Sequence, residues 1–212
     1  MQTDDLTALL CDDLKPAPRA LVPGLLLLGL VAGLVLSAAL MWLMLGPRPD
    51  LAIAMDGSTF WMKFVYVLAV GALGLWMVER QARAGADART PFLLLAVPVV
   101  AMIVVASVQL SAPRADSAAL IMGTSADICP LLIVVLALPV YAALLLALRR
   151  LAPTRLGLAG AAAGLAAGGW AAAIYCFHCV ESTAPFIVIW YSLGMVLAAA
   201  LGAIVGRFAL RW

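Results

Sequence analysis

The sequence predicts an all-α polytopic membrane protein, a bundle of six transmembrane helices with both termini in the cytoplasm. Three observations carry this. Hydrophobic residues make up 66% of the 212-residue chain and charged residues 11%, against about half and about a quarter in an ordinary soluble domain. Several apolar runs exceed the ~18 residues that mark a spanning helix, in keeping with a mean hydropathy of +1.13. Arginine and lysine fall almost wholly into alternate connections. A β-barrel would instead show short alternating segments.

The first element, residues 1–20, is polar. A secretory signal opens on basic residues, whereas this segment carries four aspartates, so it is expected to be retained. In TDDLTALLCDDLKPAP, Leu6, Leu9, Leu10 and Leu14 fall on one side at helical spacing, and Pro16 and Pro18 stop the helix. Thr3 suits the N-cap, and Asp4 and Asp5 suit the first turn. Asp12 and Asp13 add further acid. A helix made for an anionic lipid surface is basic on its polar face. This one is acidic, and it fits a hydrophobic groove rimmed by positive charge on another protein. The competing reading is a solvated tail, because short isolated helices are marginal in water.

Six spans follow, at 22–46, 60–78, 91–110, 128–148, 156–177 and 185–208, so residues 21–212 read as one membrane domain. With the N-terminus inside, the inner segments hold Lys15, Arg19, Arg80, Arg83, Arg89, Arg149, Arg150, Arg155, Arg207 and Arg211. The outer ones keep Arg48, Arg114 and Lys63, the last at a span end from which its ammonium can snorkel. Ten of the thirteen basic residues on one side place both termini in the cytoplasm.

The spans are built for close approach. Gly160, Gly164 and Gly168 recur four apart in LGLAGAAAGLAAGGW, as do Gly29 and Gly33 in the first span and Gly202 and Gly206 in the sixth. Such spacing lets backbones touch, and packing within the chain is favoured over a dimer interface. Pro98 and Pro139 predict kinks. No charged residue lies in the middle of a span, which disfavours an ion-coupled pump. No phosphate-binding loop, dinucleotide fingerprint or HExxH occurs, so the chain does not read as an enzyme.

Chemistry concentrates in YCFHCVES, residues 175–182, which joins Cys176, His178, Cys179 and Glu181 in a chain with one histidine and four cysteines. Asp127 and Cys129 open the fourth span on the same, outer side. A disulfide needs Cα atoms about 4.4–6.8 Å apart, which adjacent helix ends can reach. With His178 and Glu181 or Asp127, the same rim offers ligands for zinc, copper or similar ions. Cysteine is also a common buried filler, so a functional site and an inert one compete on nearly even terms. Cys176 and Cys179 form a CxxC, but one that closes a helix, where the dipole disfavours a thiolate. Cys176 is therefore expected to be apolar filling, and a thiol oxidoreductase is the weaker reading.

TDDL near the start, then ALRRLAPTR, LAGAAAGLAAG, HCVES, APFIVIWYSLG and the terminal RFALRW, resemble the NrsF-type family of bacterial negative regulators of sigma F, most closely over residues 120–212. The resemblance implies a six-span inner-membrane anti-sigma factor that holds an extracytoplasmic-function sigma factor inactive. It implies release under oxidative or heavy-metal stress through two cysteines, which map onto Cys129 and Cys179 and leave Cys176 and Cys11 outside the pattern. The partners then expected are that sigma factor, held by Asp4, Asp5, Leu6, Leu9, Leu10, Asp12 and Asp13, and the bilayer, with no direct nucleic-acid contact. His178, Glu181, Asp127 and Cys176 are accessory. No cofactor is expected beyond a transient heavy-metal ion at Cys129, Cys179 and His178. A periplasm-facing thiol-disulfide oxidoreductase and a small-molecule carrier are the alternatives.

Overall fold

The computed structural model describes residues 21–83, 86–113, 116–151 and 153–211. The tail residues Asp4, Asp5, Leu6, Leu9, Leu10, Cys11, Asp12 and Asp13 lie outside the described residues. Six helices are long and apolar enough to cross a membrane: α1 (Leu21–Met44), α2 (Ser58–Gln81), α3 (Arg89–Leu110), α4 (Cys129–Arg149), α5 (Leu156–Tyr175) and α6 (Ala184–Ala209). Each falls within a turn of the expected span. Short helices Leu51–Asp56 and Ser117–Met122 cross two of the connections. No strand occurs among the described residues.

The packing centres on α5. Fourteen of its twenty residues are alanine or glycine, so much of its surface carries little side-chain bulk, and neighbouring helices reach its backbone. Gly160 and Gly164 sit so tightly that an added Cβ would collide with the carbonyl oxygens of Gly202 and Ala198 in α6. On another side, a Cβ on Gly74 of α2 would lie 2.8 Å from the amide nitrogen of Ala166. The glycine faces predicted from spacing are thus used within the chain, where van der Waals contact between backbones holds helices together.

Helix α1 reaches the bundle through α4. A Cβ on Gly33 would stand 2.6 Å from the Cα of Val140. One turn on, the buried Ser37 hydroxyl donates to the carbonyl of Leu136 at 2.8 Å. That carbonyl lies three residues before Pro139, where the proline ring and missing N–H disturb helical bonding. Helix α4 nevertheless runs unbroken through Pro139. Helix α3 is irregular at Leu95, three residues before Pro98, and is the least buried of the six. Helix α6 contains a π-helical turn, Ile187–Tyr191, a local widening that is frequent at functional sites.

The bundle has two chemically different ends. One carries Arg80, Arg83, Arg89, Arg149, Arg150, Arg155, Arg207 and Arg211, and the other carries the described cysteines, with Arg48 and Lys63.

Replacing Gly160 and Gly164 with alanine together should lower the thermal unfolding midpoint in detergent, since overpacking of this kind costs ~2 kcal/mol. Gly24→Ala, where nothing lies within 4 Å, should leave the midpoint unchanged or raise it. Equal effects at the two sites would contradict the backbone-contact account.

Candidate functional site

The turn after α5 is wound tightly. The amides of His178 and Cys179 both donate to the Tyr175 carbonyl at 3.0 Å. That winding leaves the carbonyls of Phe177, Cys179 and Glu181 without helical partners, because a helix C-terminus ends in unpaired acceptors. Other parts of the chain supply the donors. The Lys63 ammonium, from the first turns of α2, donates to Cys179 O at 2.9 Å and Glu181 O at 2.8 Å. The Arg48 guanidinium, in the connection after α1, reaches Cys179 O at 3.3 Å, and the Arg48 amide donates to Phe177 O at 3.0 Å.

The structure corrects the sequence reading of Lys63. The side chain does not snorkel: it is 0% exposed. The reason is local, since two fixed carbonyls replace the water that the ammonium would seek at the surface, and the Tyr191 ring lies 5.7 Å from Nζ. No carboxylate pairs with Lys63 among the described residues. Arg48 is paired, binding both Asp50 oxygens at 2.7 and 2.6 Å. The hydrogen bond between them raises Arg48 and holds Asp50 below the usual carboxylate range.

The sulfur atoms lie beside this cationic clamp. Cys129, at the start of α4, and Cys179 are buried and lie within hydrogen-bonding reach of each other, as free thiols. The Tyr175 hydroxyl faces both of them. Tyr191, on the π-helical turn, is fully buried against the thiols, and its hydroxyl makes no well-aligned hydrogen bond. The Cys179 thiol is held below its ordinary value of 9.0, first by the hydrogen bond with Cys129 and then by Lys63, against the opposing effect of burial. Cys176, one turn back, is pushed up to about 12 by burial. Cys179 is thus the thiol favoured as thiolate, with Cys129 beside it, while Cys176 is disfavoured as one.

The other predicted residues take different places. The Glu181 carboxylate accepts from the amide and hydroxyl of Thr124, both at 2.7 Å. Gly123 makes room for it: its φ is +52°, and an added Cβ would lie 2.6 Å from the Glu181 carboxyl carbon. His178 sits with Nδ1 2.8 Å from Gly46 O, and because a carbonyl only accepts, Nδ1 carries the proton. Asp127 is exposed and pairs with no cation among the described residues. Among the described residues no three His, Cys, Asp or Glu side chains converge to hold a metal ion. Three further bonds tie the rim: Ala184 N to Gln109 Oε1, Thr183 Oγ1 to Leu120 O and Trp190 Nε1 to Ile121 O, each at 2.8 Å. All six long helices or their connections therefore meet around this turn.

Chemically, the arrangement offers two thiols close enough to join, one of them next to a cation that favours its thiolate. Lys63, Arg48, Tyr175, Tyr191 and Thr124 were not singled out as site residues by sequence reasoning. The available signal was that Arg48 and Lys63 are the described cations on the cysteine side of the bundle.

A family profile described as "Negative regulator of sigma F" matches residues 10–212. A "Probable anti-sigma-F factor NrsF" from Azospira oryzae is 40% identical over 215 residues, covering 100% of both chains. An "Anti-sigma-F factor NrsF" from Caulobacter vibrioides is 42% identical over 221 residues, again covering 100% of both. No solved structure matches.

The lowered Cys179 pKa fixes the sign of a pH dependence. Thiolate persists below pH 9, so the stability it contributes is complete above the unfolded thiol value and is lost as pH falls through the folded one. Lys63→Met should move the pH midpoint of Cys179 alkylation upward and slow alkylation near neutrality by ~10-fold. An unchanged profile would mean that Lys63 does not support the thiolate.

Proposed function

The chain belongs to the negative regulator of sigma F family, and from that membership we propose that it is an anti-sigma factor of a bacterial inner membrane. It holds an extracytoplasmic-function sigma factor inactive and releases it when Cys129 and Cys179 meet an oxidant or a heavy-metal ion. The observation that carries the anti-sigma reading is similarity along the full length to two proteins named as anti-sigma-F factors. The membrane reading is supported by the six long apolar helices and by outward side chains that are themselves apolar, among them Leu28, Leu43, Phe92, Val108, Leu146 and Phe208. A water-facing surface rarely exposes so much contiguous apolar area. The arginine-rich end is then cytoplasmic and the cysteine turn faces the periplasm, where thiols oxidise.

The sensing reading is supported by the Cys129–Cys179 juxtaposition. Oxidation joins the two sulfurs: the Cys179 thiolate and the Cys129 thiol together give up one proton and two electrons to the oxidant. A disulfide removes the negative charge that Cys179 presents to Lys63, which weakens the electrostatic case for the clamp. Two sulfurs without a third ligand among the described residues favour oxidation over metal capture as the primary event. The sigma factor is held by the acidic tail, with Leu6, Leu9 and Leu10 as apolar anchors and Asp4, Asp5, Asp12 and Asp13 as a charged rim.

Two measurements test this reading. In a sigma-dependent reporter strain, Cys129→Ser and Cys179→Ser should each abolish induction by oxidant, while Cys176→Ser should respond as wild type. Deletion of residues 1–15 should give full expression without stress, and continued repression by an inserted, truncated protein would remove the tail from the binding role. For orientation, an impermeant thiol reagent should label a cysteine placed at Ser182 and not one at Ala86. The reverse pattern overturns the topology.

A further inference from the structure

At the arginine end, α2, α3 and the start of α5 enclose an open cleft of about 550 Å³, within the usual size range of small-ligand sites. Its charged lining is Arg83, Arg89 and Arg155 with the one carboxylate of Asp87, and its apolar lining includes Met77, Phe92 and Leu158. Two of the guanidiniums have partners: Arg83 binds Glu79 at 2.8 Å and Arg89 lies 3.7 Å from Asp87. Arg155 pairs with no carboxylate among the described residues, so the cleft keeps an excess of positive charge. A second feature points the same way. Helix α5 starts at the cleft lining, and its N-terminus has no side-chain cap, so the positive end of a 20-residue helix lies beside the cleft.

We propose that this cleft binds a phosphate group, and that its ligand is the headgroup of an anionic phospholipid. Planar guanidinium forks match phosphate oxygens in pairs, and an uncapped helix N-terminus adds backbone donors to the same anion. The apolar wall selects a lipid. Phe92, 62% exposed, continues the outer apolar surface of α3, and Leu158 of α5, 52% exposed, lines the same cleft, so together they offer a surface along which acyl chains attached to a bound headgroup would run. Basic pockets between helices at the membrane surface take such headgroups. The site is at the opposite end from the cysteine turn and makes no use of it. It rests on the membrane reading of the helices and is independent of the anti-sigma role.

The test uses the full-length chain purified in detergent and native mass spectrometry with equimolar phosphatidylglycerol and phosphatidylcholine. Phosphatidylglycerol should be retained ~10-fold better, the scale of a charge-assisted hydrogen bond. Arg89→Gln with Arg155→Gln should reduce it to the phosphatidylcholine level. Arg149→Gln with Arg150→Gln, the same loss of charge outside the cleft, should leave the preference intact. Excess glycerol phosphate distinguishes the sources of the phosphate. Failure to displace the lipid supports a headgroup held together with its acyl chains, whereas displacement at equal affinity supports the phosphate site with a soluble ligand. Equal retention of the two lipids, or equal loss in both double variants, overturns the site. Flotation of wild-type protein with liposomes is the separate control: failure there would overturn the membrane reading, not the cleft.

Discussion

One buried ammonium organises the cysteine end of this molecule. Lys63 is fully removed from solvent and is answered by two backbone carbonyls and an aromatic face, with no carboxylate among the described residues. A buried charge without compensation costs several kcal/mol, so the surrounding geometry has to be held in place for the bundle to be stable. The two carbonyls belong to Cys179 and Glu181, which fixes the turn that carries the Cys179 sulfur. The charge also bears on the sulfur, because Lys63, after the hydrogen bond with Cys129, favours the ionised form of Cys179.

The clamp depends in turn on how α5 packs. Lys63 lies on α2 and Cys179 follows α5, and these two helices meet where Gly74 touches Ala166 and Gly71 touches Gly169. Bulkier residues at those contacts would push α2 away and lengthen the Lys63 bonds. Cys129 is brought in by α4, which packs on another side of the same helix. The small side chains of α5 are therefore a condition for the site as well as for the fold. The π-helical turn of α6 adds Tyr191 to the sulfur cluster, giving α6 direct contact with any change there. In the proposed membrane setting that helix runs from the cysteine turn to the arginine end, a physical connection between the two.

Much of this was legible in the sequence. Helix positions followed from apolar run length, because a span needs a minimum number of residues and little else. Gly160, Gly164, Gly33 and Gly202 announced their contacts through spacing, a periodic signal tied directly to one helix face. The pairing of Cys129 with Cys179 was open on spacing alone and was favoured by family resemblance. Lys63 and Arg48 were not legible as site residues. Their role comes from carbonyls left free by the winding of residues 175–179, and a backbone acceptor leaves no mark in a side-chain pattern. The same holds for Gly123, whose positive φ and proximity to Glu181 arise from contacts 58 residues apart in sequence. His178 was read as a thiol neighbour because it adjoins Cys179, but adjacency in a tight turn sends successive side chains in different directions, and it bonds Gly46 instead.

In the proposed mechanism a Cys129–Cys179 bond, formed beside the Lys63 clamp, is the event that frees the partner. The most direct measurement is retention of the sigma factor by the purified complex before and after mild oxidation, with the disulfide mapped by mass spectrometry on the same sample. One new bond is expected, between Cys129 and Cys179, appearing in proportion to the sigma factor released and reversing on reduction. Release without that bond, or that bond with the sigma factor still held, would contradict it.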